Sequence, residues 1–164
     1  MQNSLSNLFP RKILLEFSNE GYEGLDVTRI EIYKSAFQLI KENPFFGIGA
    51  GSFTEIFFLN TNFWKGHSHN LLFELSLSYG LPSTIIFFIT TCSILYFSSK
   101  KIFFSKTKID TSYIDRAFWT ALFFFLVSQL ADVQYFDGKI SLITWILMAG
   151  LKNIILDKNY RILA

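Results

Sequence analysis

At 164 residues and 19.0 kDa the chain has the length of one ordinary domain, and a net charge of +2 with no basic-aromatic groove argues against a nucleic-acid partner. Apolar residues make up 51% of it, with twenty Phe, while charged residues are 17%, below the roughly 25% of soluble globular chains. Too few charges remain to coat a surface bathed in water on every side.

Residues up to about Val27 are punctuated by Gly, Asn and Ser, and only Ile13 to Phe17 reads as locally ordered. Asn3, Ser4, Ser6, Asn7 and Pro10 break any apolar core before Arg11 and Lys12, so the start does not read as a signal peptide. The first firm element is a helix from Arg29 to about Asn43, opened by the capping box Thr28-x-x-Glu31 and stopped by Pro44. Ile30, Tyr33, Phe37 and Ile40 recur at helical spacing and predict its apolar face.

Gly47, Gly49 and Gly51 follow in a loop that allows tight turns, but Ser52 stands where a dinucleotide fingerprint needs glycine. The loop reads as a turn, with phosphate-facing amides as the sharper alternative. A second helix is expected from Asn70 to Tyr79, stopped by Gly80 before Leu81-Pro82.

No charged side chain stands between Glu74 and Lys100 or from Ala117 to Ala131, and a third apolar run from Ile140 is broken only by Lys152. Runs of roughly 15 to 20 residues reach about 22 to 30 Å as helices, near the hydrocarbon thickness of a bilayer. Three spans are therefore expected, at about 83–98, 115–132 and 140–156. Lys100, Lys101, Lys106, Lys108 and Arg116 follow the first span, and Lys158 and Arg161 the last, whereas the turn near Asp132 and Asp137 has one lysine. Basic loops stay in the cytoplasm, which places that turn and everything before Ser83 outside and the C-terminus inside. Tyr96, Trp119 and Tyr135 fit interfacial rings, and Trp145 a packing position. The lone Cys92, among Thr90, Thr91 and Ser93, reads as a packed membrane thiol.

Polar chemistry concentrates in Gly66-His67-Ser68-His69-Asn70. The histidines offer a structural hydrogen bond, a metal pair lacking any carboxylate but Glu74, or a general base or phosphate ligand at a helix start. Arg29 reads either as a solvated side chain or as a bidentate phosphate ligand. Asp132 and Asp137 read as solvated turn carboxylates.

In order, Arg29, then Glu42-Asn43-Pro44-Phe45-Phe46-Gly47-Ile48-Gly49-Ala50-Gly51-Ser52-Phe53, then His69-Asn70-Leu71-Leu72, then Tyr79-Gly80-Leu81-Pro82, resembles the C-terminal domain of the O-antigen ligase and polymerase family. The resemblance covers about residues 28 to 97, and Ser83 departs from it where a second glycine is common. It implies an all-α integral membrane fold, a fragment of a larger multi-pass enzyme in the bacterial inner membrane. An extracytoplasmic part with short amphipathic helices would occupy 1–82, and about three transmembrane helices and a cytoplasmic tail 83–164. The implied activity is glycan transfer from undecaprenyl pyrophosphate to a lipid A-core or similar acceptor, or, in a polymerase, to another lipid-linked repeat. His69 and Arg29 take the catalytic positions, and Gly47, Gly49 and Asn70 substrate-binding ones, with no metal and no cofactor. Membrane lipids and the missing N-terminal helices of the same enzyme are the further partners implied. The reading of another class, a non-catalytic assembly or transport subunit, is disfavoured because the apolar runs bury no functional charge.

Overall fold

The structure, a computed structural model, describes residues 27–104 and 112–157. The expected order at Ile13 to Phe17, Lys106, Lys108 and the basic residues of the tail lie outside them. Five helices make up the described part: α1 (Arg29–Glu42), α2 (Ser52–Thr61), α3 (Leu71–Phe104), α4 (Ser112–Ser128) and α5 (Gly138–Leu156), with no strand among the described residues.

The capping box forms as expected, with Thr28 Oγ1 accepting the Glu31 amide and the Glu31 carboxylate accepting the Thr28 amide at 2.8 Å. Asn43 is the C-cap rather than the last helical residue. The predicted buried face is rotated. Ile32, Ala36 and Ile40 are the residues of α1 that are buried, whereas Ile30 is 53% and Phe37 57% exposed. Ala36 explains the difference: a methyl side chain lets a neighbour pack close to the helix, and its stripe at i, i+4, i+8 joins Val27, Phe53, Phe57 and Leu77 in one core.

α2 has no counterpart in the expected elements. Its N-cap is Gly51, at φ +78° and without any side-chain cap, so the usual Ser, Thr, Asp or Asn start signal is missing. Phe53 and Phe57, one helical turn apart, nevertheless bury completely and pin it to α1 and α3.

α3 continues past the expected stop, but its backbone breaks at Gly80, at φ +83° and ψ 167°. In an unbroken helix the Leu81 amide would bond to the Leu77 carbonyl. Here the loop after α1 takes both groups: Ile48 N donates to Leu77 O at 2.6 Å and Leu81 N donates to Pro44 O at 2.8 Å. The exchange requires bare glycine on both sides. A Cβ on Gly47 would strike the Leu77 carbonyl, and one on Gly80 would strike the Phe45 carbonyl. Gly80→Ala should therefore destabilise the protein well beyond the roughly 1–3 kcal/mol of a strained backbone alone. Gly51→Ala isolates that backbone effect, since Gly51 also has positive φ but nothing within 4 Å of its would-be Cβ. Melting curves in detergent should show Gly80→Ala far below Gly51→Ala; equal melting points would refute the interlock.

Beyond the break, α3, α4 and α5 pack around Ile102, Leu122, Met148, Leu151 and Ile154. Trp119 donates from Nε1 to the Leu95 carbonyl at 2.9 Å and stacks on Phe123, so it bridges helices rather than resting at an interface alone. Buried hydroxyls bond one turn back, Thr91 to Phe87 O and Thr144 to Ile140 O. Among the described residues no buried side-chain nitrogen or oxygen is left without a hydrogen-bond partner, as apolar surroundings require. Ile85, Ile86, Ile89, Phe124, Leu142 and Ile146 are exposed on the outside, as a lipid-facing surface requires. α3 and α5 are each long and apolar enough to cross a membrane. α4, with 17 residues, would be about 25 Å long and its spanning stays an expectation.

Candidate active site

The α4–α5 turn folds back against the start of α3, and a buried amide organises it. Gln129 is fully buried; its Oε1 accepts the amides of Gln134 at 2.8 Å and Tyr135 at 2.9 Å, and its carbonyl accepts the Leu71 amide at 2.9 Å. Asn70 completes the join. Its Oδ1 accepts the amides of Leu72 at 2.9 Å and Phe73 at 3.4 Å, capping α3, while its Nδ2 donates to Leu130 O at 2.9 Å. The Asp132 turn and the residues before α3 thus lie at the same end of the helical bundle. Lys101, which donates to Asp157 O, marks the other.

The chain before α3 is tied just as closely. Fully buried Ser68 donates its amide to Glu74 Oε2 at 2.8 Å, and Thr54 of α2 bonds the Gly66 carbonyl at 2.9 Å. Between these anchors His69 adopts φ +55°, the left-handed region that non-glycine residues rarely occupy. Its Nδ1 lies 3.0 Å from Asp132 Oδ1, and His67 Nε2 lies 3.8 Å from the same oxygen. The two imidazoles meet edge to face at 4.3 Å.

Asp132 keeps the exposure the sequence predicts for a turn carboxylate, but it is also the partner of both histidines, which the sequence reading did not foresee. Partial burial pushes its carboxyl up, yet the His69 hydrogen bond, the Val133 amide and the nearby imidazoles together bring it below the ordinary value. The carboxylate is therefore ionised, and the proton it shares with His69 belongs to Nδ1. In the neutral form of the ring the lone pair then sits on His69 Nε2. Asp137 is likewise engaged, accepting the amides of Lys139 and Ile140 as the N-cap of α5.

His67 is held neutral, its pKa lowered by burial and then by the nearby His69, against the opposing pull of Asp132 and Glu74. Its Nδ1 accepts the His69 amide at 3.2 Å, which places the neutral proton on Nε2, toward Asp132. Ligand atoms of His67, His69 and Asp132 all lie within 4.8 Å of one another, so a carboxylate once thought lacking for a metal pair is present. In the metal-free arrangement each histidine turns an N–H toward the shared oxygen, the position a cation would take. A metal held by His67 Nε2 would put the ring proton on Nδ1 and so cost the bond from the His69 amide.

Arg29 belongs to the same end of the molecule. Its Nη1 donates to the Ala131 carbonyl at 3.0 Å, beside Asp132, and this uses one of five guanidinium donors. Arg29, His69 and Asn70, singled out in the sequence, therefore all meet the Asp132 turn. Gly47 and Gly49 do not. Gly47 lies against Leu77 and Gly80 at the helix break, and Gly49 accepts the Ser52 amide with its carbonyl. The pairing of Asp132 with His69 and of the Gln129 carbonyl with the Leu71 amide escaped the sequence reading, since each joins residues about sixty apart in the chain, where no local periodicity points.

No curated protein and no solved structure matched the chain. A family profile described as O-antigen ligase matches residues 3–88, just over half of the chain, and spans α1, α2 and the first part of α3 with Arg29, His67 and His69. The chain therefore belongs to the O-antigen ligase family.

Proposed function

We propose that the chain supplies the acceptor-activating end of a membrane glycan transfer site of the ligase type. The donor in this reading is a glycan on undecaprenyl pyrophosphate, and the acceptor a lipid A-core or similar hydroxyl. The hydrogen bond of 3.0 Å between His69 Nδ1 and Asp132 carries the reading. It leaves Nε2 of the neutral ring to accept a proton, and imidazole is the side chain that most often serves as a general base.

His69 Nε2 takes the proton of the acceptor hydroxyl as its oxygen attacks the anomeric carbon. The bond from that carbon to the pyrophosphate oxygen breaks, and the lipid pyrophosphate leaves with the bonding electrons. Arg29 is positioned to neutralise the charge that develops there, through paired N–H donors that lysine lacks. Asp132 stabilises the imidazolium until its proton is lost. Asn70 serves by fixing the start of α3, Gly47 by letting the loop close onto the helix break, and Gly49 by accepting the Ser52 amide at the start of α2.

Membrane vesicles containing the enzyme, given labelled lipid-linked glycan with and without lipid A-core, test the acceptor. Label should move onto lipid A-core. A ladder of lengthening glycan made without it would instead identify a polymerase.

The orientation has a separate test in a Cys92→Ser background. The lysine asymmetry predicts that an impermeant maleimide labels Lys139→Cys in intact spheroplasts and spares Lys100→Cys until lysis. The opposite pattern would invert the topology and put the site in the cytoplasm.

A further inference from the structure

Resting on the reading of His69 as the base, we propose that His67 is a positioning residue: its ring accepts the His69 amide and holds the backbone from which His69 reaches Asp132. The backbone at His69 is left-handed, at φ +55°, and glycine does not occupy the position. Such a conformation persists only where neighbouring groups over-determine it. Three bonds do so here. His67 Nδ1 accepts the His69 amide at 3.2 Å, Tyr33 donates its hydroxyl to the His69 carbonyl at 3.4 Å, and Asp132 takes the ring N–H at 3.0 Å.

Residues on either side are fixed by other partners, Ser68 by Glu74 and Asn70 by Leu130. The His67 ring is thus the group that holds the amide of His69 itself. Its accepting nitrogen faces backward to the His69 amide, while its remaining N–H faces the carboxylate at 3.8 Å, so both imidazoles converge on Asp132 from one side. His69, Asp132 and Glu74 are the ionisable groups that face it. Losing the ring would let the His69 backbone relax toward an ordinary conformation and carry the base away from Asp132 and from the acceptor. Misplacement of a catalytic group by about 1 Å is enough to cost on the order of a hundredfold in rate.

Membrane vesicles carrying each variant provide the test, with kcat and KM for the lipid-linked donor measured at matched protein abundance. His67→Ala should lower kcat about tenfold to a hundredfold and leave KM within about twofold, because a misplaced base weakens the chemical step and not donor binding. His67→Asn should recover kcat to within about threefold, since its Oδ1 stands where Nδ1 did and accepts the same amide. His67→Gln, whose amide sits one carbon farther out, should remain as impaired as His67→Ala. If His67→Ala fails to accumulate, the comparison of Asn with Gln decides, both being polar and of related size. Full kcat in His67→Ala, Asn no better than Gln, or a loss confined to KM would overturn the proposal. His69→Ala measured alongside separates the two levels. If it keeps wild-type kcat, the base reading itself fails; if it is inactive while His67→Ala is fully active, only the positioning role is lost.

Discussion

Replacing His69 by alanine is expected to lower kcat for glycan transfer by about 10² to 10⁴-fold, the usual contribution of a general base. Membrane insertion should be unchanged, since the His69 side chain contributes to no helix core and Asn70, not His69, caps α3. A gel assay of transferred glycan resolves a loss of that size without detailed kinetics. Wild-type transfer at normal abundance would reduce His69 to a structural hydrogen-bonding residue.

The second large effect is expected at Asp132, a position that looks like an ordinary turn residue. Asp132→Asn keeps the size of the side chain and removes its charge. An amide can present N–H to His69 as readily as a carbonyl, and N–H there forces the ring proton to Nε2, where the lone pair is needed. Wrong-tautomer dyads in hydrolases lose on the order of 10⁴-fold in rate. Because the Asp132 side chain is about half exposed, with a relative accessibility of 52%, water softens the effect, and a loss of about 10² to 10³-fold is the expectation here. Asp132→Glu, which keeps the charge, should retain more activity than Asp132→Asn. Equal activity of Asp132→Asn and the wild type would remove the carboxylate from the mechanism. The direction of its pKa adds a constraint. A carboxyl held below its ordinary value stays ionised through the neutral and mildly acid range, so any fall in activity between pH 7 and pH 5 must come from another group.

What could be read in the sequence follows the range of the interactions involved. The capping box of α1, the break at Gly80 and the first and third apolar runs are local patterns, and each appears in the structure. His69-Asn70 was visible as a polar pair at a helix start, and Asn70 does cap that helix. The buried stripe of α1 was missed because large apolar side chains dominate periodicity, whereas the closest contact belongs to Ala36. α2 was missed because Gly51 begins it without a side-chain cap. The role of Asp132 depends on a partner 63 residues distant, brought near by Gln129 and Asn70, and no spacing rule connects them.

The glycine loop carries a related lesson. Gly47 and Gly80 are far apart in the chain but share one contact, where a broken helix exchanges hydrogen bonds with the loop after α1. Positive φ alone explains why glycine is tolerated there, and the missing Cβ explains why nothing larger fits. That interlock fixes α1, and with it Arg29, against the helix that begins next to His69.

A double-mutant cycle on His69 and Asp132 tests the central claim most directly, with kcat measured for His69→Ala, Asp132→Asn and the pair. If the carboxylate works only through the imidazole, the double variant should be no slower than His69→Ala, because removing the base already removes what Asp132 does. Losses that multiply, leaving the double variant slower than His69→Ala by the full factor of Asp132→Asn, would show that the two side chains act independently and that no His69–Asp132 unit operates in this protein.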